Sequence, residues 1–304
     1  MSNTNTLLLC KNTFFLYKCY VFLLGLFLIP SAVSAGEITA SGADEVILFK
    51  PGKGQNAGQS SEYFPKNVLG LPDTSARYEI PQASPEQICS LGFGGEIILS
   101  FHNKILRDLP GKDFSIFENA FYAPEFPQMF IEPGRVSVSK DGITYIDFPY
   151  DPLTFIGCAG ITPTNGDKNP FNPLESGGDG FDLSDIGIDS VRYIKISDIA
   201  SLLLNRKHPL YDPVATGFDL DAVVGLHLEE IEPISISIGG NSIKINSETE
   251  SVYSMYSIDG RKVSYIEKPS KDSEIPFASI TNGIYGLVVT SSDNKYLKTI
   301  TFLK

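Results

Sequence analysis

The chain has no tryptophan among its 304 residues, three histidines and four cysteines. Each shortage closes a class of function. Without tryptophan, any flat sugar-stacking surface has to be built from the 14 Tyr and 20 Phe. His102, His208 and His227 show no His-x-x-x-His or His/Cys spacing, so they carry no zinc-site signature, and His102 and His227 read most simply as strand residues. No Gly-x-Ser-x-Gly elbow is present to present a serine nucleophile. Leu91-Gly-Phe-Gly-Gly95 is glycine-rich but is followed by neither Lys-Ser/Thr nor a helical pattern, so it reads as a tight strand entry and not a phosphate loop. Basic residues are also scarce, 24 Lys/Arg against 36 Asp/Glu. That balance repels nucleic-acid phosphates and anionic membranes and suits cations, neutral sugars or basic partners.

Long apolar runs are absent except at the start. Lys11 and Lys18 precede an apolar stretch from Tyr20 to Ile29, then Pro30 and Ser31-Ala-Val-Ser-Ala35. The stretch is short for a spanning helix, and Val33 and Ala35 occupy the positions that a signal peptidase reads, so residues 1–35 are expected to be a secretory signal cleaved after Ala35. Removing it leaves 22 basic and 36 acidic side chains, a net of -14. The acid is concentrated in residues 36–232, with 14 Lys/Arg against 29 Asp/Glu, whereas residues 233–304 hold 8 against 7. This shift marks a domain boundary at about Pro233. Two cysteines remain, Cys89 and Cys158; in an exported chain they are expected to form a disulfide, the alternative being two buried thiols.

What fills the body is short alternating segments between turn formers. Ile97, Leu99 and Phe101, then Phe114 and Ile116, have the period of two of strands, and Asp108-Leu-Pro-Gly-Lys-Asp113 between them reads as a polar turn joining a strand pair. Val136 and Val138, the turn Asp141-Gly142 and the run from Ile143 to Phe148 predict a hairpin. Residues 191–197 and 216–228 predict two further strands, and residues 149–189 a long loop of the kind that is functional or disordered. No helical period is visible in the body. The expected fold is all-β, a jelly-roll, galactose-binding-like β-sandwich over 36–232 followed by a small C-terminal β-sandwich over 233–304.

The acids cluster at strand ends. Glu118 with Asn119, Asp182 with Asp185, and Asp219 with Asp221 are spaced two or three apart or adjacent. Calcium takes six to eight oxygens from such groups, so these six are candidate calcium ligands gathered at one rim, with the Asp182 loop folding over; the other reading is that they cap turns. Paired carboxylates such as Glu118 and Asp219 also keep a glycan-acting hydrolase open as an alternative.

The series LGFGGEIILSF, DFSIFENAF, VSVSKDG, FDLSDIG, VRYIKISD and GFDLDAVVG, over about residues 65–228, resembles a galactose-binding-type sandwich of exported bacterial surface proteins, including Bacteroidetes proteins found beside corrinoid uptake systems. Ser254-Met-Tyr-Ser-Ile-Asp-Gly-Arg-Lys-Val263, Ile280-Thr-Asn-Gly-Ile-Tyr-Gly-Leu-Val-Val289 and Lys298-Thr-Ile-Thr-Phe302 resemble the C-terminal sorting domain of the type IX (Por) secretion system, with Gly286 standing where that family usually has an aliphatic residue. The resemblance implies a secreted, cell-surface protein delivered by outer-membrane secretion machinery. It implies a non-catalytic binder of an extracellular glycan or of a small molecule such as a corrinoid, with a structural adhesin or surface-layer component as a further alternative.

Overall fold

The computed structural model describes residues 37–124, 129–231, 234–291 and 297–304. The expected signal segment 1–35 and the expected boundary at Pro233 lie outside the described residues. The chain is all-β; the described residues hold seventeen strands, named β1–β17 in chain order, and all of the pairings among them are antiparallel.

Residues 37–231 build two sheets. The seven-stranded one is centred on β12 (Asp219–Glu230), which pairs with β1 (Ile38–Gly42), β3 (Cys89–Ser90), β5 (Lys104–Arg107) and β6 (Phe114–Glu118); β10 (Ser190–Val191) lies outside β5, and β9 (Asp179–Phe181) outside β6. The five-stranded sheet runs β2 (Glu45–Lys50), β4 (Glu96–Ser100), β11 (Tyr193–Asp198), β7 (Gly134–Ser139), β8 (Ile146–Asp147). Alternation places Ile97, Leu99, Val136, Val138, Ile194 and Ile196 of this sheet in one buried cluster with Leu106, Phe114, Ile116, Leu220, Val223 and Leu228 of the other. Two sheets closing on a shared apolar layer make the expected β-sandwich.

The hairpin expected around Asp141-Gly142 forms, with Val138 opposite Ile146 and the Asp141 carboxylate accepting the Ile143 and Thr144 N–H groups at 2.8 Å each. The strand pair expected over 91–121 does not. Its two strands, β4 and β6, lie in opposite sheets, and the segment between them contains β5. The chain crosses at Phe101 and His102, where His102 takes a φ of 45°. Period-two alternation is local, whereas the partner of each strand is chosen by residues far along the chain: β4 takes β2 and β11, and β6 takes β12 and β9.

The third sheet holds β13 (Ile234–Gly239), β14 (Ser242–Ser257), β15 (Lys262–Pro276), β16 (Ile284–Ser291) and β17 (Leu297–Leu303). One edge of β14 pairs first with β13 and then with β16, and the register of β14 against β15 shifts between Asn246 and Ser251. Such shifts let long strands bend, and the sheet encloses its own cluster of Ile234, Ile243, Ile245, Met255, Ile275, Leu287, Val289 and Phe302. Asp259-Gly260-Arg261 forms the β14–β15 turn, with Gly260 at φ 82°. Among the described residues no helix is long and apolar enough to cross a membrane.

The expected disulfide is absent. Cys89 and Cys158 are free and buried, Cys89 in the sandwich core and Cys158 in a separate cluster with Phe155, Leu203 and Ala215. Each is held as a packing residue on its own side, and burial pushes both thiols up to about 12. Alkylation without reductant should therefore leave both thiols unmodified in the folded protein and label both after unfolding. Recovery of a linked Cys89–Cys158 peptide by mass spectrometry would contradict this arrangement.

Candidate functional site

The six acidic candidates occupy three places, not one rim. Glu118 at the end of β6, Asn119 after it and Asp219 at the start of β12 converge, because β6 and β12 are neighbours with Glu118 opposite Leu220. Glu118 Oε1 accepts the Asp219 N–H at 3.2 Å, and the Asp219 carboxylate has the Ser90 hydroxyl and the Asn119 side chain beside it. The group is buried, with Glu118 only 2% exposed and Asp219 6%.

Asp221 is separated from Asp219 by a slip in the ladder. Leu220 faces Glu118 and Ala222 faces Phe117, so two steps on β12 match one on β6 and Asp221 is the additional residue of a bulge. Its two carboxylate oxygens turn to the Asp73 N–H, each at 3.1 Å. Burial and then the Asp73 charge push Asp221 up to about 8.

Asp182 and Asp185 belong to the other end of the sheet. Asp182 caps a short 3-10 turn by accepting the Ser184 N–H at 3.0 Å, and Asp185 pairs with Lys112 at 3.7 Å. Carboxylate oxygens of Asp182, Asp108 and Asp113 lie within 4.8 Å of one another, and Asp113 Oδ1 meets His227 Nδ1 at 2.7 Å. Asp219 and His227 are eight positions apart on β12, so at about 3.3 Å per residue the two acidic groups are roughly 26 Å apart. The expected folding of the Asp182 loop over Asp219 is thus ruled out by strand length.

Two buried acids that sequence reasoning missed complete the picture. Glu132 Oε1 accepts the Gly217 N–H at 2.9 Å and the Thr216 hydroxyl at 3.1 Å, and also accepts the Thr216 N–H. Burial, then the Asp219 charge, pushes it up to about 7. Glu118 is pushed well above the carboxylate range by burial and by the charges of Glu132 and Asp219. Asp198, at the end of β11, accepts Gly94 N–H at 2.9 Å and Phe218 N–H at 2.8 Å. It thereby pins the glycine-rich strand entry to the start of β12, which is the structural work of residues 91–95.

A cleft of about 570 Å³ opens between residues 148–162 and β9. Phe148 and Phe181 line it and pack edge to face with centroids 5.0 Å apart, and Phe114 stacks against Phe181 at 5.1 Å in the core. Lys112, Asp185 and Ile156 also line the cleft, and Ile156 is 68% exposed. In its wall, Asp179 accepts the Gly160 N–H at 2.7 Å and the Ile161 N–H at 3.1 Å, holding the 148–162 loop against β9; burial pushes Asp179 up to about 6. Aromatic rings, exposed apolar surface and one ion pair on a preformed concavity suit a ligand with both apolar faces and polar groups. The only sequence signal for it was the length of the 149–189 loop, since the lining comes from three separate segments.

No protein-family model matches the chain, and no curated protein matches it. Among solved structures it is similar to a DUF3244 family protein with an immunoglobulin-like β-sandwich from Bacteroides vulgatus, 20% identical over 24% of this chain and 84% of that one, TM-score 0.22. It is also similar to Ruminococcus gnavus β-glucuronidase in complex with uronic isofagomine, 9% identical over 88% of this chain and 44% of that one, TM-score 0.17. The same enzyme with N1-substituted uronic isofagomine gives 11% identity, 48% of that chain and TM-score 0.20, so the chain spans less than half the length of these enzyme chains. Likenesses this low bear on neither fold nor function.

Proposed function

We propose that the protein is an exported, surface-displayed, non-catalytic β-sandwich that binds an extracellular glycan or small molecule in the cleft between residues 148–162 and β9. The observation that carries this reading is the preformed concavity over packed phenylalanines, with an exposed Ile156 and the Lys112–Asp185 pair among its lining. Binding is favoured over hydrolysis by what the cleft's two carboxylates already do: Asp179 is tied to backbone N–H groups and Asp185 to Lys112. Export is supported by the signal-like residues 1–35 and by the resemblance of the tail to a sorting domain, whose Gly283-Ile284-Tyr285 stands at the entry to β16 against the terminal β17.

Calorimetric titration with a panel of neutral and uronic oligosaccharides and with a corrinoid should identify at least one binder that is recovered chemically unchanged. Ile156→Arg should weaken that binder at least tenfold, about 1.4 kcal/mol, without moving the melting temperature. Turnover of a saccharide, or undiminished binding by the arginine variant, would reject the cleft reading.

A further inference from the structure

The convergence of Glu118, Asn119 and Asp219 leaves oxygens short of partners. Glu118 Oε2, Asp219 Oδ1, Asn119 Oδ1 and Ser90 Oγ are all buried and none makes a hydrogen bond of normal geometry, the Ser90 and Asn119 side chains standing beside Asp219 as its polar neighbours; Glu118, Asp219 and Ser90 are each more than nine-tenths buried. Polar atoms so placed lose their water without a replacement, a cost of about 1–3 kcal/mol for each neutral group and more for a charged one. They also come from adjacent strands: Ser90 of β3 stands opposite Asp219 of β12 in the ladder, and Glu118 ends β6 on the other side of the same strand. Glu132 adds a third carboxylate close enough to act electrostatically on both.

Nothing cationic answers this charge. Among the described residues no Lys, Arg or His is within ion-pair distance of Glu118, Glu132 or Asp219, whereas Asp113 meets His227 and Glu229 meets Arg107 in the same sheet. We propose that Glu118, Asn119 and Asp219, with Ser90 beside them and Glu132 behind, form an all-oxygen binding site for a divalent cation of the calcium type.

The donor chemistry selects the ion. The unsatisfied donors are carboxylate, amide and hydroxyl oxygens, which suit a hard cation, and they stand on three different strands, which suits calcium's tolerance of irregular coordination better than magnesium's demand for a regular octahedron. Half-buried Asn119 is where water completes the coordination and where the ion enters. The group of Asp108, Asp113 and Asp182 does not compete on these terms. Both oxygens of Asp113 are engaged, by Leu109 N–H at 3.0 Å and His227 on one and by Leu183 N–H at 2.7 Å on the other. The site is independent of the cleft and does not rest on the ligand-binding reading.

The experiment uses the whole mature protein stripped with a chelator and dialysed into metal-free buffer. Equilibrium dialysis with calcium should return one bound ion per chain, and the melting temperature should climb with calcium concentration by mass action. Magnesium at the same concentration should do less. Asp219→Asn and Glu118→Gln should each abolish the calcium-dependent rise, while Asp108→Asn and the surface-turn variant Asp141→Asn should keep it. If stripped wild-type protein takes up no calcium and its melting curve is unmoved by the ion, the carboxylates are satisfied by a shared proton and the site is refuted. That readout needs no variant to fold. Loss of the response in Asp108→Asn but not in Asp219→Asn, or an equal or stronger response to magnesium, would equally overturn the assignment.

Discussion

Phe114→Ala should destabilise the protein by about 3–5 kcal/mol, the range for deleting a buried aromatic ring from a core that cannot collapse onto the space. The ring is fully buried and touches two others, stacked on Phe181 at 5.1 Å and edge-on to Phe148 at 5.9 Å. Those two phenylalanines are also cleft residues, so the substitution removes support from beneath the proposed binding surface. Urea unfolding should show the loss as a lower midpoint at an unchanged slope. Any ligand found for the cleft should bind the alanine variant more weakly. Phe114→Leu keeps most of the volume and should cost less than the alanine change. An alanine variant with parental stability would mean that β6 and β9 do not hold the aromatic cluster as described.

The second large effect is a pH dependence centred on Asp179. Its ordinary value of 3.8 is raised to about 6 by burial, so the folded chain holds this proton more tightly than the unfolded chain. Below about pH 4 the carboxyl is neutral in both states and contributes nothing to the slope; between about 4 and 6 the unfolded chain ionises first and stability falls as pH rises; above about 6 the penalty is constant at about 3 kcal/mol. Asp179→Asn keeps an acceptor for the Gly160 and Ile161 N–H groups and has no proton to lose. It should therefore match the parent in acid and exceed it near neutrality, less whatever strength the charged acceptor lent those bonds. The check is the difference between variant and parent unfolding free energies across that window, in which the other raised acids cancel. A difference that does not vary with pH would show that Asp179 ionises normally in the fold.

Alternation along β4, β7, β11 and β12 was legible in the residues themselves because each strand sends every second side chain into an apolar layer. Pairing was less so. The division of residues 91–121 between two sheets depends on β2, β11 and β12, which begin as far away as residue 219. In the tail, β15 escaped notice: Lys262–Pro276 carries six charged residues and prolines at 269 and 276, and among its described side chains Ile275 is the fully buried contribution to the cluster.

Among the acids, the meeting of Glu118 with Asp219 was readable because Glu118 ends one strand and Asp219 opens its neighbour in the same sheet. The bulge at Asp221 was not, since a single extra residue leaves no mark in composition yet turns the carboxylate to a different neighbour. Glu132 was hidden for another reason. A carboxylate beside Pro-Gly reads as a turn residue, and only the folded chain shows it buried against Thr216 and Gly217. Cysteine count likewise described the residues available for a bridge and nothing about the two clusters that keep them apart.

The position of β12 in the chain sets the order in which the first sheet can be completed. Ile38 pairs with Glu229, and β3, β5 and β6 also wait for residues between Asp219 and Glu230. At a synthesis rate of about 5–20 residues per second, β1 emerges roughly 10–40 s before its partner exists. Contacts this distant in sequence also make folding slow once the chain is complete. β3, β5 and β6 emerge later and wait less, but until Asp219–Glu230 is made each of the four keeps the edge that pairs with this twelve-residue segment unpaired. A nascent or translocating chain that stops short of Asp219 is therefore held open by topology alone, and a truncation just before it should be far more prone to aggregate than one just after Glu230.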